Sequence, residues 1–236
     1  MLDVHRPREP ALPAERGSAS LLADIRQYLL ARPPRETAVR LANWTLRPFY
    51  QQRIMQRVGV SVADYAILNI HRIGVEAPAV SVWEVIEAWN AGSGFWPDRL
   101  ATLEQRTDHL DQVRVSPLGL HRIDLFRLTL LRRQDVPPPQ GVDNARFLLY
   151  RCSGGYPIGI FFIYVRSRIP DEGEVEQTQV FLVVAFNFYG HDRLSRLACV
   201  RAPWQWVHDR VTANVLNRLK ARCEVQVGRV AAVGNS

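Results

Sequence analysis

Several groups of residues in this 236-residue chain have types and spacings that chemistry could use. Tyr189-Gly190-His191-Asp192 puts an imidazole beside a carboxylate, ahead of a C-terminal helical pattern. An imidazole so placed is the type of group that acts as acid or base at a pocket mouth. The same four residues also spell an ordinary turn. Asp108, His109 and Asp111 are closely spaced, but no further cluster completes a ligand set, so they read as a solvated loop and no metal is expected. Glu84, Glu87 and Asp98 lack the paired partner that acid–base work on a substrate needs. Cys152, Cys199 and Cys223 are odd in number and far apart, which reads as buried free thiols and not as a disulfide or zinc framework. No Gly-x-Ser-x-Gly elbow, phosphate-binding loop or dinucleotide fingerprint is present. No cofactor is expected, and no residue is assigned a catalytic role.

Charge narrows the partners. The net charge is +7, and Lys220 is the only lysine, so nearly all of the 30 basic residues are arginine. The guanidinium fork fits phosphate oxygens, but these charges are spread along the whole chain, as codon bias would leave them. No clustered basic strands with interleaved stacking aromatics and no helix-turn-helix appear, so a nucleic-acid-binding module is the weakest class. One interval differs: between Thr37 and Ala63 lie Arg40, Arg47, Arg53 and Arg57 and no acid. Its apolar residues recur at helical spacing. It suits either packing on the domain that follows or peripheral contact with an anionic membrane through residues 37–63, with Trp44, Phe49 and Tyr50 near the headgroups. No apolar run is long enough to cross a bilayer. The first residues have charge and proline without an apolar centre, which reads as no signal peptide and a disordered tail over 1–17. With the thiols, this reads as a cytoplasmic protein.

The elements follow from periodicity. Ser20 caps a helix to about Ala31, stopped by Pro33-Pro34. Val39, Leu41, Ala42, Trp44 and Leu46 suggest a second helix, and Phe49 to Val58 a third short piece. From Asp64 the period changes to two. Tyr65 to Val75 reads as a strand, with Ile67, Asn69, His71 and Ile73 on one face. Ser81 and Glu84 form a capping box for a helix carrying Val82, Trp83, Val85, Ile86 and Trp89, and Phe95-Trp-Pro-Asp98 opens another short helical piece. Residues 101–107, 112–115 and 121–133 read as weaker strands. Ala145–Cys152, Ile158–Val165 and Glu176–Tyr189 are the strongest strand patterns, the first two joined by a hairpin turn at Ser153–Pro157. Pro203 opens a final helix to Cys223, where Trp204, Val207, Val211, Val215, Leu219 and Cys223 make one apolar stripe and Asp209 and Arg210 lie away from it.

A strand, then "apolar-x-Ala-Pro-x-x-x-Val-Trp-x-x-Ile-x-x-Trp" over residues 75–89, then a Trp-Pro step resembles the start of the START-like (SRPBCC, polyketide cyclase-like) superfamily. The final helix stands where that superfamily has its closing helix. The resemblance implies an α+β helix-grip fold: a curved antiparallel sheet wrapped around a long C-terminal helix, here with an added N-terminal helical segment. It places a helical extension at 18–60, the grip at 61–226 and a flexible tail at 227–236. It implies an apolar cavity between sheet and helix, with Trp89, Phe95, Trp96, Tyr150, Phe162, Tyr164, Asn187, His191, Val211 and Val215 as its candidate lining. Asn187 stands out as an amide on a very apolar strand, where it either orients a ligand or bonds a neighbouring loop. The expected function is binding or carriage of a hydrophobic small molecule or lipid, with a cyclase- or hydrolase-like enzyme in the same pocket as the alternative. Two of the strongest strands are apolar on both faces, so the outer face must be covered as well, by the helices of residues 18–58 or by a homodimer contact.

Overall fold

The computed structural model describes residues 21–33, 38–40, 55–56, 58–88, 94–105, 112–117, 124–136, 145–168 and 177–234, with backbone alone at 38–40, 105, 168 and 227–234. Among the described residues, eight strands form one antiparallel sheet: β1 (Ala38–Arg40), β2 (Ile67–Val75), β3 (Ala101–Gln105), β4 (Gln112–Pro117), β5 (Phe126–Gln134), β6 (Ala145–Ser153), β7 (Pro157–Arg168) and β8 (Gln177–Phe188). Their order across the sheet is β1-β2-β8-β7-β6-β5-β4-β3. The chain after β2 therefore crosses to the far edge and returns by hairpins until β8 closes against β2. The sheet curls, and Leu131 bulges out where the β5–β6 register shifts between Leu130 and Arg132.

The helices are α1 (Leu21–Asp24, widening into a π-helix over Ile25–Leu30), α2 (Ala79–Glu87), α3 (Asp192–Arg196) and α4 (Ala198–Gly234). With 37 residues, α4 is about 55 Å long. It lies against the concave face and meets β2 along its length. This is the helix-grip arrangement.

Period two sorts the side chains. Ile67, Ile73, Tyr150, Phe161, Ile163, Val184 and Phe186 point inward and join one core with Val215, Leu216 and Leu219 of α4. Leu68, Ile70, Leu149, Ile160, Phe162, Tyr164, Phe181 and Val183 point outward and form a second core with Met55, Val58 and Val62. These outward residues are buried, and Met55, Val58 and Val62 pack against them.

Several expectations are corrected. Residues 38–40 are a strand and not part of a helix, because the open edge of β2 offers backbone partners to any extended segment beside it. The stretch 41–54 lies outside the described residues, as do residues 1–20, and with the former most of the interval read as a membrane contact. Helix α1 does not lie on the outer face. It packs on α4, where the Asn214 amide donates to the carbonyls of Tyr28 (2.8 Å) and Ala31 (3.2 Å) and Arg218 stacks over the Tyr28 ring. Ser81 does not cap α2. Pro78 stands at the N-cap, its fixed φ suiting a helix entry, and the Thr178 hydroxyl holds the Ala77 carbonyl just ahead of it. Residues 95–98 form turns and not a helix. Helix α4 begins five residues before Pro203, which sits inside it, and continues to Gly234 where a flexible tail was expected.

Candidate functional site

Between the concave face and α4 lies a cavity of about 410 Å³. Each wall has a different origin. The sheet supplies Val115, Phe126, Cys152, Phe161, Leu182, Val184 and Phe186, all inward-pointing by strand parity. Helix α4 supplies Trp204, Val207, His208, Val211, Thr212 and Val215, residues that recur at three- and four-residue spacing on one side. The turn after α2 gives Trp96, Pro97 and Leu100, and α1 gives Leu29. Trp96, Leu125, Phe126, Tyr156, Leu182, Trp204 and Val211 are inward-facing yet only half-buried. In a solid core such residues would touch partners on every side. Here part of each surface faces the void. Val207 is 42% exposed, which puts it at the rim. A second void of about 20 Å³ lies beyond Val215, Trp96 and Leu182, lined by Phe95, Ile86, Ile163 and Leu216 among others. It holds at most one water-sized occupant.

One end of the cavity is aromatic. The Trp204 ring meets Phe186 edge-on at 4.8 Å and stacks on His208 at 4.5 Å, and the Tyr156 ring packs against Phe126, Phe186 and Phe188. The indole N–H of Trp204 donates to the Tyr156 hydroxyl at 3.2 Å. Burial raises the pKa of the Tyr156 hydroxyl, so it stays protonated. Burial likewise pushes the Cys152 thiol up to about 12, so it presents a neutral, weakly polar wall.

Polar side chains gather at one place. His71, on the inward face of β2, is buried, and its Nε2 lies 3.3 Å from Asp209 Oδ1. The Asn69 amide nitrogen lies 3.2 Å from His208 Nδ1, and the Thr212 hydroxyl is 3.4 Å from the same nitrogen. Helical spacing sets Asp209 away from the apolar stripe. It does leave the stripe, but β2 approaches on that side and places His71 within its reach.

Of the candidate lining residues, Trp96, Val211 and Val215 face the main cavity and Phe95 the small one. Tyr150 is in the inner core but away from the void. Phe162 and Tyr164 are on the outer face, one position out of phase with the inward residues of β7. Asn187 is also outward: its Oδ1 accepts from the Ala66 backbone N–H at 2.8 Å and its amide donates to the Asp64 carbonyl at 2.9 Å, so it ties a loop. His191 is exposed and precedes α3; its carbonyl accepts from Ser195, and Tyr189 and Gly190 take positive φ. The cluster around it is a turn. Trp89 lies outside the described residues, as do Asp108, His109 and Asp111. Glu84 is exposed and Glu87 pairs with Arg133. Of the cysteines, Cys152 and Cys223 are buried as expected, whereas Cys199 is exposed.

No family model matches the chain, and no curated protein matches it. Solved structures of similar shape exist. The Zhui aromatase/cyclase of Streptomyces sp. R1128 is 20% identical, with 68% of this chain and 95% of that one covered at a TM-score of 0.42. A Thermobifida fusca protein is 20% identical over 66% and 92% at a TM-score of 0.45. A START superfamily protein of Mycobacterium smegmatis is 12% identical over 67% and 98% at 0.42. Among the described residues the chain has one curled antiparallel sheet, a helix after the first long strand, and a closing helix along the concave face with a void between. The fold is START-like. Residues 1–60 supply additions to that START-like core: an edge strand, a helix against α4 that reaches the cavity through Leu29, and Met55 and Val58 on the outer face.

Proposed function

We propose that the protein binds a hydrophobic small molecule or lipid-like compound in the cavity between sheet and α4. The observation that carries this reading is the void itself. It has the volume of a small-molecule site and a lining that is aliphatic and aromatic with few oriented polar groups. A ligand there would gain roughly 25 cal/mol for each Å² of apolar surface it removes from water. His208, Thr212 and the Tyr156 hydroxyl are the polar points that would orient it.

A second reading is an enzyme of the cyclase or hydrolase kind using the same cavity. What favours it is His208, an imidazole in the wall with Asn69, His71 and Asp209 behind it, since imidazole is the side chain best suited to proton transfer near neutral pH.

The test is native mass spectrometry of the purified full chain together with titration by a solvatochromic apolar dye. The expected result is a co-purified adduct or a stoichiometric dye complex, lost at least tenfold in Val211→Phe. That variant fills the void from a half-buried position on α4. An empty protein that binds no dye, or binds it equally well in Val211→Phe, overturns the reading.

A further inference from the structure

We propose that His71, His208 and Asp209 form a site for one divalent transition-metal ion of the Zn²⁺ type, set where β2 meets α4 at the wall of the cavity. His71 comes from the middle of β2, and His208 and Asp209 are consecutive on α4. One donor atom from each of the three lies within 4.8 Å of the other two. Donors bound at about 2.0–2.2 Å around a tetrahedral ion stand about 3.4 Å apart. The three groups therefore need to close by up to about 1.4 Å, a distance of the order that side-chain rotation covers.

Two further observations set this cluster apart from ordinary packing. The first is His71. It is 2% exposed, and its Nδ1 has no hydrogen-bond partner among the described residues. Its Nε2 faces Asp209 Oδ1 at 3.3 Å without hydrogen-bond geometry. Buried imidazoles ordinarily satisfy their nitrogens, and the 3.3 Å between His71 Nε2 and Asp209 Oδ1 is about the separation of two donors on one ion. The second is the support around His208. The Asn69 amide, the Thr212 hydroxyl and the stacked Trp204 ring fix the plane of its imidazole. For Nε2 of His208 to ligate, Nδ1 carries the proton and donates it to the Thr212 hydroxyl, or to the Asn69 amide with its oxygen turned towards the ring.

The donor set names the class of ion. Two imidazoles and one carboxylate suit Zn²⁺ and its first-row neighbours, whereas Ca²⁺ and Mg²⁺ take oxygen donors almost exclusively. Three protein ligands leave a coordination position open. His208 also lines the cavity, so a molecule bound there stands beside the ion. The site does not depend on the cavity reading, because the ion is held by the chain alone.

The test uses the full chain, stripped with a chelator and titrated with Co²⁺ as a spectroscopic probe, then with Zn²⁺ in competition. The expected result is one equivalent of Co²⁺ giving visible d–d bands that Zn²⁺ abolishes. His208→Gln and Asp209→Asn should each weaken Co²⁺ binding by more than the 10–100-fold that loss of an outer-shell partner costs. Both residues are partly exposed, so the variants keep the fold, which circular dichroism verifies; His71, being buried, is left intact. The absence of a stoichiometric Co²⁺ complex in the folded chain overturns the proposal. So does a complex whose spectrum and affinity are unchanged in both variants, since the ion is then held elsewhere. Loss of dye binding in Val211→Phe with Co²⁺ binding intact separates the metal site from the cavity.

Discussion

Replacing Asn187 with leucine should destabilise the fold while leaving the cavity untouched. The Asn187 side chain bridges two backbone groups of the loop before β2, accepting from Ala66 N–H and donating to Asp64 C=O. Their surroundings differ. Ala66 is 3% exposed, so its N–H loses its acceptor with no water to replace it. Asp64 is exposed, and water can take over its carbonyl. The orphaned buried donor costs about 1–3 kcal/mol and the net loss of the second bond about 1 kcal/mol or less. A total of about 2–3 kcal/mol shifts the melting temperature of a chain of this size by roughly 5–10 °C. Asn187→Asp keeps an acceptor for Ala66 and loses only the donor to Asp64, so its shift should be smaller. The assay is thermal unfolding of the three proteins beside dye affinity measured well below each transition. Because Asn187 points to the outer face, dye affinity should match that of the parent. A shift below about 1 °C for Asn187→Leu refutes the loop-tying role. A tenfold loss of affinity in the folded variant, about 1.4 kcal/mol, refutes the placement on the outer face.

Other expectations follow from single contacts. Gly159 faces Phe186 across β7–β8, and a Cβ there would stand 2.1 Å from the Ala185 carbonyl oxygen and 2.6 Å from Phe186 Cα. Gly159→Ala should cost about 3 kcal/mol or more in denaturant unfolding, while Gly74→Ala, with nothing within 4 Å of its Cβ, should be neutral or mildly stabilising. Asn214→Ala removes the side chain that holds the carbonyls of Tyr28 and Ala31. It should speed amide exchange over residues 21–31 before any other element. Burial pushes the Cys152 and Cys223 thiols up to about 12 in the native state, from an ordinary 9.0. Between about pH 9 and 12 the unfolded chain therefore releases protons that the native chain keeps. Stability is whole below pH 9 and declines as pH rises through that window. Cys152→Ala should flatten this decline in equilibrium unfolding at successive pH values. An equally steep decline would show that the thiol is not held neutral.

What the sequence disclosed and what it hid divide along physical lines. The stripe on α4 was legible because 3.6-residue periodicity survives any tertiary context, and Val211 and Val215 do face the void. Strand existence was legible from β6 to β8 because runs rich in β-branched and aromatic residues are bounded there by turn residues. Strand phase was not. Phe161 and Phe162 are both aromatic, and β7 is buried on both sides, so no polar residue marks which face is inner. A one-residue change of phase exchanges the whole set. That is how Phe162 and Tyr164 came to be expected in a cavity they do not touch. On β8 the amide that broke the pattern invited the same error, since Asn187 serves a loop on the outer side.

The His71–His208–Asp209 cluster was hidden by a different cause. Half of it was available locally: His208 follows Trp204 by four residues, and Thr212 follows His208 by four, so all three belong to the α4 stripe. Only the polarity of His208 and Thr212 keeps those two out of an argument framed in apolar residues. The other half is non-local. His71 and Asp209 are 138 positions apart in the chain, and their contact exists only because β2 pairs with β8 and so lies beneath the middle of α4. Spacing motifs find sites built on one element or one turn. This one is built on the packing of a strand against a helix, and the same packing encloses the void. The cavity and the polar cluster are thus two consequences of one placement. A change in the strand pair beneath Trp204, such as Gly159→Ala against the β8 backbone at Ala185 and Phe186, should disturb dye binding and Co²⁺ binding together. A change confined to the lining, such as Val211→Phe, should separate them.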